Sequence, residues 1–263
     1  MPKRLLLAAV ALAAMVPAMT TPASATTGHH AAKPTVILVH GAFADASSWT
    51  KVVARLQAAG YPVIAPANPL RDLQGDSDYV SSVISTVPGP VILVGHSYGG
   101  SVISSAADGH ANVKALVYVA GYVPEVGESA LDLTGRFPGS QLPTSLLTRD
   151  YPGGTDVYVD PAKFRAAVAA DLPARDTALI AATQRPVSYA ALDAKATVSA
   201  WKKIPSWYLV AGADQAIPTA AQKFMAKRAG AHTSEIKGAS HLVLVSHADA
   251  AADLVTAADR ATR

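Results

Sequence analysis

The chain has 263 residues, 50% of them hydrophobic and 16% charged, with a formal net charge of +3 and no cysteine. This composition suits one folded domain with a large core and excludes a disordered tail. Without cysteine there are no disulfides, thiolate nucleophiles or cysteine-ligated metals.

Lys3 and Arg4 precede an unbroken apolar run from Leu5 to Val16, followed by Pro17, Pro22 and Ala23-Ser24-Ala25. A basic start, a short apolar stretch and an A-x-A ending form the pattern of a secretory signal peptide. The run is shorter than the ~20 residues that span a bilayer. Cleavage after residue 25 is therefore expected, giving a secreted or extracytoplasmic protein with no stable membrane association. Cleavage would leave 20 basic residues against 19 acidic ones. No remaining run of Lys and Arg could track phosphates, so nucleic acid is not an expected partner. Residues 26–33 read as a polar lead-in, with His29 and His30 as solvated tail rather than metal ligands. The folded domain is expected over 34–263.

From Pro34 the patterns alternate. Thr35 to Val39 is a β-branched apolar run, and Ser48 to Ala59 has helical spacing that Gly60 stops. Tyr61 to Ala65 reads as a strand, Asp76 to Val87 as a helix, Val91 to Val94 as a strand. Tyr98 to Asp108 reads as a helix of small residues and Val113 to Val119 as a strand. From about 122 to 201 the pattern breaks under seven prolines, with short helices at Ala162 to Ala170 and Arg175 to Thr183 and no strong strand. This stretch is expected to be a helical cap inserted over the sheet. Then come a strand at Trp207 to Ala211, a helix at Thr219 to Ala229, a strand at His232 to Ile236 and a closing helix at Ala248 to Ala258. Such alternation implies an α/β fold, a parallel sheet of about six strands with helices on both faces. Ligands then bind at the carboxyl ends of the strands.

Those ends carry the chemistry. Gly95-His96-Ser97-Tyr98-Gly99 follows a buried-strand run and opens a helix, the context of a nucleophile elbow. A serine hydroxyl needs a base. His241, in Gly238-Ala239-Ser240-His241, follows the last strand, and Asp214, in Gly212-Ala213-Asp214, follows the one before. Ser97, Asp214 and His241 are the expected catalytic residues. The oxyanion donors are expected to be the amides of Tyr98 and Ala42, with Phe43 as the alternative to Ala42. His96 is expected to point away from the serine. His247 reads as a cap or surface residue, Asp249 as a first-turn helix residue, His232 as a strand residue and His110 as a loop residue.

These segments, with His40-Gly41-Ala42 and Ser48-Trp49, resemble the α/β-hydrolase superfamily over the whole chain after Pro34. Within it the sequence is most similar to small esterases related to plant methylesterases and hydroxynitrile lyases, and to cofactor-free haloperoxidase-like hydrolases. The resemblance implies a Ser-His-Asp triad on Ser97, His241 and Asp214, an N–H oxyanion hole, a helical cap and no metal or organic cofactor. Lyases of the group carry lysine after the catalytic histidine and threonine in the first oxyanion loop. Here those positions are Leu242 and Gly41, which argues for ester hydrolysis.

The expected substrate is a small-molecule carboxylic ester with small or aromatic apolar groups. Phe43, Trp49, Tyr98 and Tyr122 are expected in the pocket wall. Phe137, Tyr151, Tyr158, Phe164 and Tyr189 could also face it, or could simply pack the cap. A binding protein with little turnover, perhydrolysis, carbon–carbon hydrolysis and lactone opening stay open on the same residues.

Overall fold

Continuous apolar runs build the central sheet. Its first strands are β1 (Thr35–Val39), β2 (Val63–Ile64), β3 (Val91–His96) and β4 (Val113–Val119). An insertion carries β5 (Leu146–Tyr151), β6 (Gly154–Val159) and β7 (Val187–Ser188). The sheet then resumes with β8 (Ser206–Ala211) and β9 (His232–Ile236). The six central strands lie in the order β2-β1-β3-β4-β8-β9, and every neighbouring pair is parallel. The computed structural model describes residues 32–263. The expected signal peptide at 1–25 and residues 26–31 of the lead-in lie outside the described residues.

The helices are α1 (Thr50–Ala58), α2 (Leu73–Ser85), α3 (Tyr98–Ala106), α4 (Ala130–Gly135), α5 (Pro161–Val168) and α6 (Ala174–Ala182). They continue with α7 (Tyr189–Asp193), α8 (Thr219–Arg228), α9 (Val243–Ser246) and α10 (Ala248–Thr262). None of the described helices is long and apolar enough to cross a membrane.

The two-residue period of a strand sends alternate side chains to opposite faces. Val36 and Leu38 pack with Val52 and Leu56 of α1 and Leu254 and Val255 of α10. Ile37 and Val39 pack with Val80 and Ile84 of α2, Val102 of α3 and Met225 of α8. Both faces of the inner strands are covered, so these need no polar alternation, whereas β9 at the edge is polar and exposed.

Local chemistry explains where elements depart from the sequence expectation. Asp72 accepts a hydrogen bond from the Gly75 amide at 2.7 Å, so α2 starts three residues before Asp76. Asp45 caps a 3₁₀ turn over Ala46–Trp49, and α1 begins only at Thr50. β2 shrinks to two residues because Pro62 and Pro66 flank it and have no N–H for a ladder.

The insertion corrects a larger expectation. The sequence predicts helices and no strong strand there, yet β5, β6 and β7 form a three-stranded antiparallel sheet. Every residue of β5 after Leu146 is exposed, so no buried apolar run marks it. Its readable signal is Pro152-Gly153 between two β-rich stretches, with Gly153 at φ +102°. That is the Pro-Gly order of a tight turn.

Candidate active site

β1 pairs with β2 on one side and β3 on the other, so the strand order reverses between β1 and β3. At such a switch point the loops leaving adjacent strands diverge and open a crevice. Val39 ends β1 opposite Gly95 of β3, so the His40–Phe43 loop lies beside Ser97.

Ser97 sits at φ 51°, ψ −123°, between β3 and α3. A non-glycine residue held there stores about 1–3 kcal/mol of strain. Its carbonyl accepts from the Gly100 amide at 2.9 Å and the Tyr122 amide at 3.0 Å, which hold the turn. The turn also needs close backbone approach. A Cβ on Gly99 would lie 2.3 Å from the Val39 carbonyl oxygen, and one on Gly41 would lie 2.7 Å from Ser97 Cβ.

His241, between β9 and α9, bonds through Nδ1 to Asp214 Oδ2 at 2.7 Å. Asp214 accepts three further hydrogen bonds. Oδ1 takes the Ala216 amide at 2.7 Å and the Ile217 amide at 3.0 Å, and Oδ2 takes Gln222 Nε2 at 2.7 Å. With Nδ1 facing a carboxylate, His241 keeps Nε2 for a substrate or a nucleophile. The Ser97 hydroxyl makes no hydrogen bond among the described residues.

Two more histidines shape the site. His40 is fully buried; its Nε2 accepts from the Asn68 amide at 3.1 Å while Nδ1 donates to the Gly41 carbonyl at 2.9 Å. Burial holds it below the usual histidine range, which suits this neutral tautomer. His96 donates from Nε2 to the His241 carbonyl at 3.0 Å, and the two rings lie 4.8 Å apart. Burial pushes His96 well below the usual range, and the neighbouring His241 adds to this. The His96 side chain turns to the backbone of His241 and braces it.

A cavity of about 310 Å³ opens here, walled by Ala42, Phe43, His96, His241 and Leu242 and by Phe164, Val168 and Ile180 of the insertion. Ala42, of the expected oxyanion pair, is in its wall. The Tyr98 amide opens α3 and has no carbonyl four residues back within that helix. Phe43 turns at φ 60°.

Three expected wall residues are elsewhere. Trp49 is fully buried and packs edge-on against His96 with centroids 6.3 Å apart. The Tyr98 ring is buried and donates to Asp76 Oδ2 at 2.8 Å. Tyr122 is buried and its hydroxyl pairs with Thr134 at 2.6 Å. Among the other aromatics of the insertion, Phe164 lines the cavity, Phe137 packs on Phe224, and Tyr151 and Tyr189 are exposed. Aromatic side chains in this fold serve first as core volume and only then as pocket wall. No group of three His, Asp or Glu among the described residues is placed to hold a metal ion.

The profile of the alpha/beta hydrolase family matches residues 36–254. The chain belongs to the α/β-hydrolase family. It is 36% identical over 110 residues to the carbendazim hydrolyzing esterase of Nocardioides sp., a match spanning 37% of this chain and 46% of that protein. It is 26% identical to the alpha-hydroxynitrile lyase of Arabidopsis thaliana, over 80% of this chain and 91% of the relative. Among solved structures it superposes on polyneuridine aldehyde esterase with a TM-score of 0.75 and 22% identity, covering 86% of this chain and 100% of the other. That superposition extends the hydrolase fold across the described chain.

Sequence reading missed Gln222 and the bracing role of His96. Gln222 lies with Met225 and Ala226 on the buried stripe of α8, and a lone amide among such positions is the signal that could have found it.

Proposed function

We propose that this member of the α/β-hydrolase family is a serine hydrolase of neutral carboxylic esters. The observation that carries the reading is the strained Ser97 turn at the switch point, beside a cavity wall holding a histidine bonded to a buried aspartate at 2.7 Å. Ser97 Oγ attacks the ester carbonyl carbon as His241 Nε2 takes the hydroxyl proton. Asp214 orients the imidazole and stabilises its charged form. The Ala42 and Tyr98 amides receive the oxyanion. The tetrahedral intermediate expels the alcohol, which takes the proton from His241. Water then attacks the acyl-enzyme with His241 again as base.

The cavity's chemistry favours apolar substituents on the ester. Three of its polar side chains are tied to backbone: Gln184 Nε2 donates to the Val159 carbonyl at 2.9 Å, Thr183 to the Leu179 carbonyl at 3.0 Å, and Thr50 to the Ser47 carbonyl at 2.7 Å; Asp45, after β1, and Lys51, on α1, are charged groups in the same wall. The apolar wall that the insertion and α9 supply is Phe164, Val168, Ile180 and Val245, beside Thr183 and Gln184. Leu242, buried directly after His241, sits where the resemblance gives lyases a lysine, and this favours hydrolysis over lyase chemistry. The sequence pattern at 1–25 supports export of the mature protein.

The test is turnover of p-nitrophenyl acetate and butyrate by the mature protein beside Ser97→Ala. The expected result is loss of at least about 10³-fold in kcat with an unchanged circular dichroism spectrum. Equal turnover in both proteins would remove Ser97 as nucleophile. Tight ligand binding without turnover would favour a binding protein.

A further inference from the structure

Gln222 is fully buried on α8 and holds three groups at once. Its Oε1 accepts from the Ala211 amide at 3.0 Å, at the end of β8. Its Nε2 donates to the Ile217 carbonyl at 2.9 Å and to Asp214 Oδ2 at 2.7 Å. The partners fix the orientation of this amide, because the Ala211 N–H can only donate and the Ile217 carbonyl can only accept. Asp214 Oδ2 is also the oxygen that accepts His241 Nδ1–H. Both carboxylate oxygens thus take two donors each, and among the described residues Gln222 is the one side chain besides His241 that bonds to the carboxylate.

We infer that Gln222 is a positioning residue for the Asp214–His241 pair, setting both the direction and the charge that Oδ2 presents to the imidazole. The inference rests on reading that pair as catalytic. The directional part follows from geometry: Gln222 ties the end of β8, the loop after it and the carboxylate into one rigid unit. Without the amide, Oδ2 loses the donor that opposes rotation of the carboxylate away from His241. The charge part follows from hydrogen bonding. A donor to a carboxylate disperses its negative charge, so removing it leaves more charge facing the imidazole and favours the imidazolium. A base that stays protonated cannot take the serine proton.

A purely structural glutamine would tie α8 to β8 and do no more. Its loss would lower stability and leave the pH profile of the folded enzyme where it was. The experiment is the pH dependence of kcat/KM for wild type, Gln222→Met and Gln222→Glu. Methionine keeps the side-chain volume and removes the donor. Glutamate places a second carboxyl beside the first. The expected result for Gln222→Met is a roughly 10- to 100-fold lower kcat with little change in KM, and an acid limb moved to higher pH. Gln222→Glu sets two carboxyls side by side; they share one proton, so the new group still donates to Oδ2 and the limb should stay near its wild-type position. If the methionine variant fails to fold, Gln222→Leu takes its place. An acid limb superposing on wild type in the folded methionine or leucine variant would overturn the inference. The imidazole titration of His241, followed by NMR in the Ser97→Ala background with and without Gln222→Met, needs no turnover. If no ester were hydrolysed the reading of the site would fail, yet this titration would still show whether Gln222 governs the pair.

Discussion

A single methyl group at position 99 tests how closely the elbow is packed. A Cβ there would meet the Val39 carbonyl oxygen at 2.3 Å, and backbone in a central strand cannot move aside cheaply. Gly99→Ala should therefore cost about 3 kcal/mol or leave the protein unfolded. At Gly238 no atom lies within 4 Å of the added carbon, so Gly238→Ala should stay within about 0.5 kcal/mol of wild type. Urea melts of both variants check this; equal losses would show that the elbow can relax. Gly99 lies two residues after Ser97 and Gly238 three before His241, and of the two only Gly99 meets the backbone of β1. His96 carries a second prediction. Unfolded, a histidine takes a proton near pH 6.5; folded, His96 does so only at much lower pH because of burial and the adjacent His241. Between the two values the unfolded state binds more protons, so stability falls as pH drops below about 6.5. His40 is lowered in the same direction, chiefly by burial, and contributes alike. Unfolding free energies measured from pH 7.5 down to 5 should show a shallower decline in His96→Asn than in wild type; parallel declines would refute the argument.

The turn between α5 and α6 reaches the loop that carries His241. The Ser240 hydroxyl bonds to Asp171, and the Leu242 amide donates to the Val168 carbonyl at 3.0 Å. Both chain neighbours of His241 are thus tied to the insertion. Burial alone would raise the Asp171 pKa, but hydrogen bonds from Ser240 and Ser246 outweigh it and hold the carboxyl below its ordinary value. Its contribution is therefore complete above about pH 4 and lost as pH falls through the lowered value. Asp171→Ala should lower kcat several-fold and cost about 1 kcal/mol, with the stability difference from wild type shrinking below pH 4. A difference that does not shrink at all as pH falls below 4 would place the effect outside this carboxylate. The same elements show what sequence can and cannot disclose. The inner strands were legible because burial on both faces forces apolar runs such as Val36 to Val39, and Ser97 and Asp214 could be placed because each follows such a run; His241 follows the exposed edge strand β9 and was placed by its order in the chain. The β5–β6 hairpin was not, since one strand faces solvent and its pairing replaces burial. Gln222 was not, because its partners lie 5 to 11 residues away and meet it only once α8 has docked.

At the scale of the molecule, the parallel sheet and the insertion divide the work. The sheet places Ser97, Asp214 and His241 at the carboxyl ends of its strands, and the insertion supplies apolar wall from α5 and α6. Against that apolar wall, substrates are discriminated chiefly by size and apolar area. Each methylene that the cavity takes from water is worth about 0.8 kcal/mol, or roughly fourfold in kcat/KM. From p-nitrophenyl acetate to butyrate, two methylenes, kcat/KM should thus rise on the order of 15-fold, and it should level off once the space of about 310 Å³ is filled. Ile180, partly buried on α6 and in the cavity wall, sets where that happens. Ile180→Trp should leave the acetate rate within about twofold of wild type, a surface-like cost for a half-exposed position, and flatten the rise with chain length. A series that climbs equally in both proteins would mean that the acyl chain lies away from α6. A series falling with length in wild type would turn the assignment round, with the alcohol group against the insertion and the acyl group toward the loop after β1.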